Sequence, residues 1–256
     1  MMQLFLRCSD LSRITRHNKF KPIEEYLEEL LSRNKIIKKY IPKSNTERKL
    51  IECSEDKLSS IKKELNLKKS ATLEDIEAKL KIITSSSLIN KTEQGSKTDL
   101  LKGIHDKPII KELLKNSIEQ DIRMKRGNIK EDSALNKTQK KLDINIGERN
   151  VDMYSKELFK TDKCCVIIRG KVDGISKDKK VVETKNRRDR LFNRVPDYEK
   201  VQMESYMYLT GFKECIHIEN YNNEQNIEEY KHNEEFWLDC VERIREFVVN
   251  NVDIQL

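Results

Sequence analysis

No stretch of this sequence reaches the roughly 18–20 consecutive apolar residues that a helix needs to cross a bilayer. The opening MMQLFLRCSD holds too short an apolar run for a secretory leader and has no cleavage-site pattern, which predicts an intracellular protein. The six cysteines, Cys8, Cys53, Cys164, Cys165, Cys215 and Cys240, form no CxxC pair, and there are only four histidines. That spacing argues against a zinc site and predicts reduced, mostly buried thiols. No internal repeat is visible, and no zinc finger or other base-reading motif. Residues 36–100 almost lack aromatics.

What is present is charge. Charged residues make up 37% of the 256 and hydrophobic residues 36%, enough for a real core under a heavily charged surface. The length suits one sizeable α/β domain, or one domain carrying an insertion. The net charge of +7 favours a polyanionic partner. Many unrelated proteins share such an excess, so it narrows the choice little.

Periodicity predicts helix over 9–34, with Ser9 capping a short turn and Pro22 opening a second helix. In the lysine- and serine-rich 36–100 region, helices are expected near 46–66 and 72–84, the second capped by Thr72. TSSSLINKTEQGSKTD (84–99) reads as a connector. Helix resumes over 108–140. Leu142, Ile144 and Ile146 then alternate as in a half-buried strand. CCVIIRGKVDGI (164–175), KVVETKN (180–186) and ECIHIENY (214–221) read as strands. Helices are expected at 198–211, ending at Gly211, and at 233–249. The C-terminal half is thus an α/β pattern.

Chemistry concentrates in Val172-Asp173-Gly174 and Val182-Glu183-Thr184-Lys185. Antiparallel pairing across the turn at 176–179 brings Asp173 to the Glu183 end of its neighbour. Glu183 and Lys185, two apart, leave the strand on one face. Two carboxylates and the Thr184 carbonyl form an oxygen donor set suited to one or two magnesium ions, with manganese an alternative. Lys185 can steer an attacking water or stabilise a pentavalent phosphate. Asp-Gly turns and Glu-x-Lys strand faces are also ordinary hairpin chemistry, so the order of further residues matters. Glu131 supplies a third carboxylate from a preceding helix. Gln202 and Tyr206, four apart, face the same way from the following helix. Arg187, Arg188, Arg190 and Arg194 follow the Glu-x-Lys strand and can contact phosphates without reading sequence.

In that order these residues resemble the PD-(D/E)XK nuclease superfamily, and within it the lambda-exonuclease or YqaJ-type viral recombinase nucleases. RGNIKEDSA (126–134) is similar to the family's Gly-containing helix with the first acid. RGKVDGI…VVETKNRRDRLF resembles its Asp-Gly and Glu-x-Lys strands, and YEKVQMESYMYLTGF its Gln-bearing helix. LRCSDLSRI resembles its opening helix with Ser9. The resemblance covers most of 5–34 and 116–250; residues 36–115 have no counterpart. Arg7 stands near the place of the family's upstream phosphate-binding arginine, and Asp162 near that of an extra acid.

The resemblance implies a restriction-endonuclease-like α/β core with a central mixed sheet flanked by helices, residues 1–256 forming one nuclease domain with a helical insertion at 36–115. It implies Glu131, Asp173, Glu183, Lys185 and Gln202 as catalytic, with Glu131, Asp173, Glu183 and Thr184 on the metal. Ser9, Arg187, Arg188 and Arg190 are implied on DNA. The activity implied is 5′-to-3′ digestion of linear duplex ends in viral or phage recombination. Its implied partners are further copies of the chain and a single-strand annealing protein; a viral source would extend the expected location to the host nucleus. The alternatives are an endonuclease or repair nuclease on the same core, and an inactive fold that only binds nucleic acid.

Overall fold

In the computed structural model, which describes residues 1–20, 23–89, 93–147, 149, 152–222 and 224–256, the helix start expected at Pro22 lies outside the described residues. The chain divides into two compact units, Met1–Ile41 with Glu131–Leu256, and Pro42–Lys130. In chain order it runs β1 (Met2–Arg7), α1 (Cys8–Ile14) and α2 (Ile23–Arg33). There follow α3 (Asn45–Ile51), α4 (Glu55–Glu64), α5 (Leu73–Ile83), α6 (Ser85–Ile89), α7 (Glu93–Gly103) and α8 (Pro108–Leu113). The long helix α9 (Lys115–Leu142) leads to β2 (Ile146–Gly147), β3 (Tyr154–Lys160), β4 (Cys164–Gly170), β5 (Gly174–Ser176) and β6 (Val181–Asn186). Then come α10 (Asp197–Thr210), β7 (Glu214–Tyr221), β8 (Glu224–Lys231) and α11 (Glu234–Phe247), followed by a π-helical segment at Val248–Val252 and a 3-10 turn at Asp253–Gln255.

The first unit is α/β, the fold class expected, with mixed β-structure flanked by helices and divided into two sheets. One sheet has the order β1-β4-β3, and the other β2-β5-β6-β7-β8. The chain passes from one to the other at residues 171–173, between β4 and β5. β1 runs parallel to β4, its Leu4 and Leu6 fully buried. In the larger sheet β6 and β7 are parallel and joined through α10, while β5 and β8 flank them antiparallel. A parallel central strand is covered on both faces, and Val181, Val182, Glu183 and Thr184 are accordingly all buried. Val181 belongs to the same buried cluster as Met203 and Met207 of α10 and Ile244 of α11; Val182, on the other face, belongs to a smaller cluster with Leu135 of α9, Ile216 and Ile218.

The second unit is all helix. Its core is leucine and isoleucine, from Leu50 and Ile61 through Ile76, Leu80, Leu100 and Ile104 to Ile118 and Ile122. Each such side chain contributes about 1.5–3 kcal/mol when fully buried. Thr72 caps α5 in a reciprocal capping box with Asp75. The unit runs from Pro42 to Lys130, where a helical insertion is expected at 36–115. Its apolar cluster takes in Ile118 and Ile122 of α9, which carries the unit past residue 115.

Several element boundaries differ from expectation. The 46–66 helix is two, because Ser54 is extended (ψ 160°) and opens α4. The 84–99 connector carries α6 and most of α7; the buried Ser96 Oγ donates to the Ser87 carbonyl at 2.6 Å and ties the two helices together. The 108–140 helix is interrupted at Leu114. Leu142 ends α9, and the strand expected from 142 is only Ile146–Gly147. Ser9 is not a cap: α1 starts at Cys8, with Arg7 before it.

Candidate active site

The register of β5 against β6, Gly174 opposite Val182, sets Asp173 beside the Glu183 end of β6. Asp173 Oδ2 accepts the Thr184 N–H at 2.7 Å. Glu183 is buried. Its Oε1 accepts from Lys185 Nζ at 2.5 Å, and its Oε2 has no hydrogen-bond partner among the described residues. Lys185 Nζ also donates to Gln202 Oε1 at 2.9 Å, and Gln202 Nε2 donates to Tyr206 Oη at 2.9 Å. The two-residue strand period and the four-residue helix period therefore meet: β6 presents Glu183 and Lys185 to the face of α10 that carries Gln202 and Tyr206. α10 ends where Gly211 takes the left-handed conformation, φ +78°.

The electrostatics are those of crowded negative charge. Burial pushes the Asp173 carboxyl well above its usual value, and the nearby charges of Glu183 and Glu131 push it further. Lys185 and the Thr184 N–H oppose this without prevailing. For Lys185, burial works against the charged form, but Glu183, Glu199 and Asp173 prevail and its pKa is raised, so the ammonium is retained. Among the described residues no three histidine, cysteine, aspartate or glutamate side chains form a group that could hold a metal ion. Glu131 acts on Asp173 through the field. The unpartnered Glu183 Oε2 and the repulsion among carboxylates nevertheless fit a divalent cation, since a cation there supplies the missing partner and relieves the repulsion. The Thr184 hydroxyl is likewise buried without a partner among the described residues.

The basic residues after β6 divide. Arg187 is not turned to solvent as a phosphate contact. Its side chain is 9% exposed, with Nη1 and Nη2 on the two Glu199 oxygens at 2.5 and 2.8 Å and Nε on Glu219 Oε1 at 2.5 Å. Glu199 also bonds His217 Nε2 at 2.8 Å. Glu219 Oε2 accepts the amides of Phe192 and Asn193. Burial alone would raise Glu199, but the hydrogen bonds from His217 and Arg187 outweigh it and hold the carboxyl down at about 2. Arg188 and Arg190 are exposed, with Arg188 beside Asp189 at 3.2 Å. Asp162 lies in the turn before β4, at the far end of that strand from Asp173; seven residues of strand separate the ends by roughly 20 Å, so it does not join the site.

Ser9 is exposed at the mouth of a cavity of about 550 Å³. Arg7, Arg33, Arg169 and Lys171 line the same cavity, as does Tyr206, which links it to the Gln202–Lys185–Glu183 chain. Arg33 and Arg169 are absent from the residues that the sequence pattern singles out. Arg169 precedes Asp173 by four residues in one β-run, a weak signal. Arg33 arrives from α2 with none.

No protein-family model matches the sequence, and no curated protein matches it. Among solved structures it is similar to an alkaline exonuclease, LHK-Exo, from Laribacter hongkongensis: 12% identity, TM-score 0.43, covering 68% of this chain and 87% of that one. The same enzyme in complex with dAMP gives the same figures. A protein called SSO0001 matches at 14% identity and TM-score 0.40, covering 68% of this chain and 84% of the other.

Proposed function

We propose that this chain is a magnesium-dependent deoxyribonuclease that degrades linear duplex DNA from its ends, 5′ to 3′, in viral or phage recombination. The observation that carries the chemistry is Glu183, buried, with one oxygen on Lys185 and the other unpartnered beside Asp173. Glu183, Asp173 and the Thr184 carbonyl would hold the ion, with Glu131 adding negative field; manganese is an alternative. When bound, the ion supplies Lewis acidity toward a phosphodiester and a more acidic water. Lys185, kept charged by its carboxylates and seated by Gln202, presents its ammonium where charge builds on the phosphate. Gln202 is a positioning residue: its own orientation is fixed by Tyr206. By the resemblance, self-association and a single-strand annealing partner belong to the same proposal. Among the described residues no helix is long and apolar enough to cross a membrane.

End specificity rests on the cationic cavity beside Ser9, whose hydroxyl can donate to a terminal phosphate oxygen. A time course on matched linear and covalently closed duplexes, each linear form with and without a 5′-phosphate, is expected to show digestion of the linear forms only, faster with the phosphate. Ser9→Ala is expected to blunt that preference. Rapid cutting of closed circles would favour an endonuclease on the same core; indifference to the phosphate would remove the anchor.

Lys185→Ala is expected to lower single-turnover cleavage by about 10²-fold, the scale of losing one preorganised electrostatic donor. Metal affinity, read by calorimetry, should change less than the rate. A normal rate at saturating metal would remove Lys185 from the chemistry.

A further inference from the structure

The helical unit Pro42–Lys130 holds twenty lysines and arginines against fourteen aspartates and glutamates, and so carries six of the chain's seven excess positive charges. The unit with the candidate active site is almost neutral, at 31 against 30. Several acids of the helical unit are turned onto its own backbone. Glu47 accepts the Lys43 amide at 2.5 Å. Asp121 accepts the amides of Asn45 and Thr46 at 2.9 Å, and Glu64 those of Ile109 and Ile110 at 2.8 and 3.0 Å. The lysines are left outside. Lys63, Lys68, Lys69 and Lys111 are exposed and make no ion pair among the described residues. They group about one corner. Lys63 and Lys111 flank the Glu64 contact between α4 and α8. Lys68 and Lys69 lie on the α4–α5 turn, held by Lys62 Nζ donating to Lys69 O at 2.8 Å.

We infer that this corner of the helical unit docks the sugar–phosphate backbone of duplex DNA. The choice of partner follows from what the unit holds. It contains no phenylalanine, tyrosine or tryptophan at all. Single-strand binding depends on aromatic platforms for stacking, and interfacial membrane helices on apolar and aromatic residues beside their lysines. Compact ammonium charges on flexible stems, with no stacking surface, match a regular array of phosphates and carry no base preference. The corner adds affinity to that expected from Arg188 and Arg190, and the α/β unit supplies chemistry. The inference rests on the proposed nuclease reading for its substrate but not for its test.

The test uses the full chain, a fluorescent duplex and EDTA, so that binding is read without cleavage. Lys68→Glu with Lys69→Glu, and separately Lys63→Glu with Lys111→Glu, are titrated from about 50 to 200 mM salt. Each DNA phosphate that a variant no longer neutralises should flatten the slope of log K against log salt by about 0.9, so nearly 2 for each pair. The matching Lys→Arg pairs should keep the wild-type slope, and thermal melts should show all variants folded. Unchanged slopes in both reversal pairs would overturn the inference. So would loss of binding to phosphatidylserine vesicles with duplex binding intact. A wild-type chain that binds duplex through these lysines but cleaves no DNA under any metal would defeat the nuclease reading and leave this one standing.

Discussion

Glu183→Gln is expected to reduce magnesium-dependent cleavage by about 10³-fold or more, because several kcal/mol of charge stabilisation at a phosphodiester is lost with the anion. Glutamine is the informative replacement. Glu183 is 2% exposed and pairs with the half-buried Lys185, so alanine would also leave that ammonium without its carboxylate and open a gap. Breaking a buried pair from one side costs about 3–5 kcal/mol, which would blur loss of function into loss of fold. Asp173→Asn is the companion. Asparagine keeps an oxygen to accept the Thr184 amide while removing one of three mutually repelling carboxylates. The metal-free protein should therefore melt at a higher temperature, while the stabilisation that magnesium confers on the wild type should shrink in both variants. Cleavage within tenfold of wild type in either well-folded variant would sink the site assignment.

The core of that site is readable in the sequence because two short periods fix it. A strand repeats every two residues, so Glu183 and Lys185 share a face whatever the rest of the fold does. A helix brings Gln202 and Tyr206 together in the same way. The Asp173–Glu183 juxtaposition needs only a hairpin. The unread parts depend on distant residues or weak patterns. β1 is six residues long, and its Leu4 and Leu6 alternation is too brief to separate from an ordinary apolar N-terminal run. β8, EQNIEEYK, is an edge strand kept polar, with no residue fully buried, and so lacks the apolar alternation that marks a half-covered strand. The split into two sheets depends on the chain crossing between them at 171–173, which no local signal records. The Arg33 contribution to the cavity depends on a helix far away in sequence.

Arg187 shows how the same period can be read too briefly, and it gives the second large effect. Positions 183, 185 and 187 continue one strand face, and the Arg187 amide still donates to Asn220 O at 2.7 Å, extending the β6–β7 pairing. Its side chain is carried inward like those before it, although RRDR reads as a solvated basic run. The acids that receive it, Glu199 and Glu219, lie 12 and 32 residues away. Arg187→Ala leaves both buried and under-compensated, at a cost of about 3–5 kcal/mol. For a chain of this size that is a fall in melting temperature of roughly 10 °C. Arg187→Lys should recover only part of it, since an ammonium cannot reproduce the fork on Glu199.

Acid provides an independent reading of the same contact. Glu199 is held at about 2 when folded, against an ordinary value of 4.5, with Arg187 one of the groups responsible. A depressed carboxylate contributes stability that is present above its unfolded value and is lost as pH falls from about 4.5 towards 2. Wild type should therefore lose stability across that window, and Arg187→Ala should lose less, so that their melting temperatures converge at low pH. Duplex affinity is expected to follow Arg188 and Arg190, which face solvent, and to be nearly unchanged by Arg187→Lys. An Arg187→Ala protein with wild-type stability and a flattened salt slope would return this arginine to the DNA surface.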